Sequence, residues 1–250
     1  MKKDSFTIEV RAFSALCEQD RKQVSRFIQD HSDMDEDYAE SEFFRYLDRD
    51  LLIVRSHNRQ VKCILSAKYF FDKEAFVYWG DLIKDKSFKG LNLGYLFFRY
   101  LLNKEGFIGI FLRKKSFLSF CYNPRVLDFL PRYLDSFSSY SQNSSHPLFT
   151  RCIEQLGYHS SVFAGFFQDT AIQSKRRLHG EKRYRSKNQS INDFFSKHVL
   201  QSDEQQHLFY TGWSLAIVTR YSRTKLFHMS IDFIRKISEK SLFLIAGKGQ

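Results

Sequence analysis

Apolar and polar positions along the chain follow two rhythms, and the switches between them mark the elements. Residues 6–13 alternate in part and predict a strand. Ser14 then stands as a helix N-cap, and apolar residues at 16, 24, 27 and 28 among charges predict a helix over 15–29. Acidic and polar residues fill 31–37, and 38–47 reads as a second short helix. Three apolar runs follow, 51–55, 61–71 and 75–83, separated by the polar clusters 56–60 and 72–74. Such spacing predicts three consecutive antiparallel strands.

Farther on, 95–102 has a helical pattern, whereas 107–112, preceded by Gly106 and interrupted by Gly109, fits either a helix or a strand. Residues 117–122 predict a strand. Asn123-Pro124 then predicts the opening of a helix over 125–130, which Pro131 interrupts or restarts. Beyond it, 136–145 is Ser-rich and loop-like, and 147–156 reads as a helix closed by Gly157. Residues 191–199 predict a short helix, 213–219 a strand and 225–237 an amphipathic helix.

Composition narrows the class. The 250 residues are 43% hydrophobic with only 3 prolines, which suits a packed core and argues against long disordered linkers. A formal net charge of +11 points to an acidic partner: a phosphorylated coenzyme, a nucleic acid or a membrane surface. Cysteines at 17, 63, 121 and 152 form no C-x-x-C pair, so no zinc site is expected, and a reducing, cytoplasmic setting follows. The start, Met1-Lys2-Lys3-Asp4-Ser5, is not expected to be a signal peptide, and no apolar stretch is long enough to span a bilayer.

The chemistry concentrates between Trp79 and Leu102: a strand, a turn with two glycines, then a helix. The first turn of a helix carries unpaired N–H donors and partial positive charge, so a diphosphate is stabilised there. Glycine lets backbone approach the phosphates closely. An ordinary strand–turn–helix connection is the alternative reading.

The order strand, two helices, three antiparallel strands, Gly-turn, helix, strand, helix resembles that of the GNAT superfamily of acetyl-CoA-dependent N-acetyltransferases. The turn Lys89-Gly90-Leu91-Asn92-Leu93-Gly94 is similar to that family's coenzyme motif, Q/R-x-x-G-x-G/A. Lys89 stands where the family has Gln or Arg, Asn92 where it has its first Gly, and Gly94 matches the second. Asp81-Leu82-Ile83 resembles the end of the family's fourth strand, and Asn123-Pro124-Arg125-Val126 the start of its next helix. The resemblance spans 6–135. It implies an α/β (α+β) fold with a mixed central sheet flanked by helices. An acyl-CoA-binding core would occupy 1–135, and a C-terminal extension over 136–250 would complete the sheet or cover the acceptor groove. It also implies acetyl-CoA, or another acyl-CoA, as co-substrate and a small-molecule or peptide amine as acceptor. Leu82, Ile83 and Lys84 would contact the pantetheine. Lys89, Gly90, Leu91, Asn92, Leu93, Gly94 and Tyr95 would hold the diphosphate, with Asn123 joining the coenzyme site.

Acyl transfer to an amine needs a base to free the nitrogen lone pair. Asp81 is the candidate, placed by the two-residue strand period on the same face as Trp79 and Ile83. The alternative is an Asp that caps a turn or pairs with Lys84 or Lys86. Glu74, in a turn, is a weaker candidate base. The family's acid, a Tyr seven residues after the helix-opening Asn, falls here on Leu130; Tyr122 and Tyr133 are the nearest substitutes. Cys121 would serve as a nucleophile only beside a His base and otherwise reads as a core cysteine. Two further readings remain. One is a non-catalytic module that binds acyl-CoA. The other is a nucleic-acid-associated protein using the basic segment 175–187, where seven cations face Glu181 alone. That segment has a single aromatic, Tyr184, and reads first as a solvated surface, so nucleic acid is not the expected partner.

Overall fold

The computed structural model describes residues 6–31, 48–71, 74–88, 92–121, 124–133, 162–163, 166–168, 176–177, 185–198, 200–202, 208–210 and 213–246. The helices expected over 38–47 and 147–156 and the loop over 136–145 lie outside the described residues. So do the site candidates Lys89, Gly90, Leu91, Tyr122 and Asn123.

Strands β1 (Phe6–Ala12), β2 (Asp50–Ser56), β3 (Val61–Phe71) and β4 (Ala75–Lys84) pair antiparallel in sequence order. Helix α1 (Glu18–His31) lies between the first two strands in the chain. A helix, α2 (Leu93–Leu112), then carries the chain back so that β5 (Lys115–Cys121) runs parallel to β4. The result is a mixed α/β sheet with helices on both faces, the fold class that the resemblance implies.

Leu51, Leu52, Ile53 and Val54 are all fully buried, because β2 is covered on both faces and reads as a continuous apolar run. Alternate residues divide between two cores. Leu52, Val54, Cys63, Leu65, Ala67 and Val77 pack with Leu96, Phe97, Tyr100 and Leu101 of α2. On the other face, Leu51, Ile53 and Ile64 pack with Val24, Phe27 and Ile28 of α1.

Several boundaries differ from expectation. Residues 13–15 form a 3-10 turn, with Phe13 and Leu16 drawn into the α1-side core, so α1 begins at Glu18 and Ser14 is not its cap. The ambiguous 107–112 is helical: Gly106, with a non-helical φ of 68° and ψ of 171°, makes a kink that divides α2 into two helical segments. Helix α3 (Val126–Tyr133) runs through Pro131.

After α3 the sheet grows by β6 (Val162–Phe163) and β7 (Phe166–Gln168). Arg176–Arg177 of the basic segment form a short strand, β8. With β9 (Leu200–Ser202) and β10 (Leu208–Tyr210) it makes a second, three-stranded sheet. Helix α4 (Gln189–His198) precedes β9. Where the basic segment ends, the Asp128 carboxylate of α3 accepts from Ser186 Oγ (2.6 Å) and the Lys187 amide (3.1 Å).

Strand β11 (Trp213–Arg220) pairs antiparallel with β5, completing the order β1-β2-β3-β4-β5-β11-β7-β6. Helix α5 (Arg223–Ala246) returns along α2, burying Leu226, Met229 and Phe233 in the α2-side core. Among the described residues, no helix is long and apolar enough to cross a membrane.

Candidate functional site

Strands β4 and β5 pair only from Ala75↔Lys115 to Trp79↔Ser119, where Ser119 Oγ donates to the Trp79 carbonyl at 2.8 Å. Beyond that link they part. Among the described residues, β4 continues to Lys84 with β3 alone as its strand partner, while Phe120 and Cys121 pair with β11. An open backbone edge therefore begins at Gly80.

A β-bulge lies at the same point. Leu65 pairs with Leu82 and Ala67 with Trp79, so both Gly80 and Asp81 oppose Ser66. Only glycine fits at the first of these: a Cβ on Gly80 would stand 2.1 Å from Ser66 Oγ. That oxygen accepts the Asp81 N–H at 2.9 Å. The extra residue inverts the side-chain alternation. Trp79 packs in the α2-side core, whereas Ile83 packs against the α1-side core. The expectation that Asp81 shares one face with both Trp79 and Ile83 is thus corrected, and the period beyond the bulge puts Asp81 with Ile83. Leu82 and Lys84 are exposed.

Two residues near this edge escaped sequence reasoning. Tyr221, just past β11, is buried, and its hydroxyl accepts the Trp79 indole N–H at 2.7 Å. Ser66 is fully buried in β3. No local signal marks either, because each acquires its role from a strand partner. Cys63 is inert: burial pushes its thiol up to about 12.

At the other end of the linker, Asn92 caps α2. Its Oδ1 accepts from the Tyr95 amide (3.3 Å) and from the Tyr133 hydroxyl (3.1 Å), while its Nδ2 donates to Asp232 of α5 (3.3 Å). Gly94 lies under the Tyr133 ring, where a Cβ would approach Cε1 to 2.5 Å. A protein side chain therefore already demands glycine here, and a larger residue would disturb the fold as well as any ligand. Tyr133 itself is buried edge-on to Phe97, with centroids 5.8 Å apart. Ring and hydroxyl are both engaged with the start of α2, through Phe97 and Asn92.

The linker leaving β4 is held by Asp85. Its carboxylate accepts from Lys62 Nζ (2.9 Å), Ser87 Oγ (2.7 Å) and the Ser87 amide (2.8 Å). The Lys62 ammonium first, then the Ser87 hydroxyl, keep this carboxyl well below the usual carboxylate range. A group with a depressed folded pKa stabilises above its unfolded pKa and loses that contribution as pH falls through the folded value. Asp85→Ala is therefore expected to cost about 1–3 kcal/mol at neutral pH. The gap to wild type should narrow below about pH 4, where the unfolded carboxyl protonates. Urea unfolding at neutral and acid pH measures both; a pH-independent gap would contradict the assignment.

No protein-family model matches the chain, and no curated protein matches it in sequence. Solved structures do align with it. A protein described as a phosphinothricin N-acetyltransferase is 18% identical over 51% of this chain and 80% of its own, with a TM-score of 0.31. NAA60 of Arabidopsis thaliana, solved with a bisubstrate analogue, is 10% identical over 86% of this chain and 100% of its own, at 0.34. A protein of Acinetobacter baylyi ADP1 described as an acetyltransferase is 10% identical over 89% and 94%, at 0.32. Overlaps this loose transfer neither a site nor a reaction to this chain.

Proposed function

We propose that this chain is a GNAT-like N-acyltransferase that binds an acyl-CoA along the free edge of β4 and passes the acyl group to an amine. The observation that carries the reading is the parting of β4 from β5 at Trp79/Ser119, where the Trp79 ring packs on Phe97 of α2 (centroids 4.3 Å apart). An extended amide chain such as pantetheine can take the place of the missing strand against Leu82, Ile83 and Lys84, satisfying backbone groups that β5 leaves unpaired. The first turn of α2, with Leu93, Gly94 and Tyr95, and the preceding Lys89, Gly90 and Leu91 are the proposed diphosphate cradle. Asn92 enters it as the cap of that turn. A net charge of +11 favours so anionic a ligand.

The acyl-CoA supplies an activated thioester; the protein supplies placement and a base. Asp81 is proposed to take the proton from the incoming ammonium, next to where the strands part. The nitrogen then bonds to the acyl carbon as the carbon–sulfur bond breaks; the second proton, still on nitrogen, passes through solvent to the released thiolate, and Asp81 returns its proton to solvent. The acceptor class is a primary amine on a small molecule or peptide.

Titration with acetyl-CoA tests the reading directly. Saturable heat of binding and a ligand-dependent rise in melting temperature are expected. Absence of both at millimolar coenzyme would refute it.

A further inference from the structure

We propose that Asp232, on the C-terminal helix α5, sets the affinity for the coenzyme by holding a negative charge at the N-terminal end of α2. The inference rests on the reading that the coenzyme diphosphate binds at that end.

The geometry is specific. Asp232 Oδ2 accepts from the side chain of Asn92, the residue that caps α2, at 3.3 Å across 140 positions of sequence. The next residue on α5 pins it there: Phe233 is buried, stacks on Tyr95 of the first turn of α2 (5.0 Å, 24°) and lies against Phe98 (5.1 Å). Leu226 and Met229, also buried, hold the preceding turns of α5 in the same core. This packing holds the backbone of Asp232 beside the cap.

A helix N-terminus attracts an anion through its unpaired amides and dipole. A carboxylate and a diphosphate brought to the same end compete for that field and repel each other. Asn92 Oδ1 accepts from Tyr95 and Tyr133, and Nδ2 gives one of its hydrogens to Asp232, so this one side chain ties α2, Tyr133 and α5 together. The C-terminal helix thus acts on the coenzyme site although it lies far from it in sequence. It weakens the hold on the diphosphate and eases release of spent coenzyme.

The test is calorimetry of CoA binding to the full chain, comparing wild type with Asp232→Asn, which keeps an acceptor for Asn92 but removes the charge. Asp232→Ser serves if the first variant does not fold. Asp30→Asn, on the exposed surface of α1 beyond the opposite face of the sheet, makes the same change in net charge as a control. Asp232→Asn is expected to bind CoA about fivefold tighter at low salt, the gain shrinking as salt is added. Asp30→Asn should match wild type, and melting temperatures without ligand should agree. Equal or weaker binding by Asp232→Asn, with wild type still binding CoA, overturns this inference and leaves the coenzyme reading standing. An equal gain in Asp30→Asn overturns it too, since net charge alone would then explain the effect. Failure of every variant to bind CoA overturns the coenzyme reading and the inference with it.

Discussion

Replacing Lys115 with methionine is expected to destabilise the protein by about 3–5 kcal/mol, the cost of leaving a partner charge buried and unpaired. Lys115 opens β5, and its ammonium stands 2.9 Å from Glu105 of α2, with both side chains wholly shielded from solvent. The same nitrogen donates to the carbonyls of Ile110 (2.7 Å), Arg113 (2.9 Å) and Gly109 (3.3 Å), closing the C-terminal end of α2. Burial pushes the Lys115 ammonium below its ordinary pKa, and Glu105 opposes that shift. The surrounding backbone ties the residue to both neighbouring strands: the Ala75 amide donates to the Lys114 carbonyl, and the Tyr221 amide to that of Lys115. Methionine keeps the volume but strands Glu105 and the last-turn carbonyls. The double variant Lys115→Met/Glu105→Leu should recover most of the loss, because an apolar pair of similar size removes the uncompensated charge. Urea unfolding of the two single variants and the double gives the coupling energy. A loss under about 1 kcal/mol for Lys115→Met would mean the pair is dispensable.

Asp81→Asn is expected to lower the rate of acyl transfer by about 100-fold or more while leaving the apparent KM for acetyl-CoA nearly unchanged. The base acts on the acceptor amine, so coenzyme affinity does not depend on it. The substitution keeps the residue's backbone link across the bulge, from its N–H to Ser66 Oγ. Steady-state rates with a panel of primary amines, measured across pH, check this. Unaltered turnover in a folded Asp81→Asn protein would remove Asp81 from the mechanism. Coenzyme binding with no turnover by wild type on any amine would favour a module that binds acyl-CoA without transferring it.

Much of the framework was legible in the sequence because its causes are local. The runs at 51–55, 61–71 and 75–83 became β2, β3 and β4, since adjacent apolar strands and short polar turns need no distant information to pair. The helical pattern over 95–102 was legible too, although the helix begins at Leu93 with Asn92 as its cap. What the sequence left open depends on partners far along the chain. The bulge at Gly80 and Asp81 exists because Ser66 stands opposite, and it changes which face every later residue of β4 presents. Gly94 looked like a concession to phosphate, but the ring that excludes a Cβ there is Tyr133, from another helix. Residues 107–112 fit helix or strand by pattern alone; they are helical beyond the kink at Gly106, and the ion pair of Glu105 and Lys115, which flank them, has no mark in the local pattern. The pairing of β5 with β11 and the packing of α5 on α2 join segments far apart in the chain, as Leu215 with Cys121 and Phe233 with Tyr95. Periodicity reports which face of an element is apolar and says nothing of what will cover it, so only the tertiary structure could bring Asp232 to the cap of α2 and set the parting of β4 from β5.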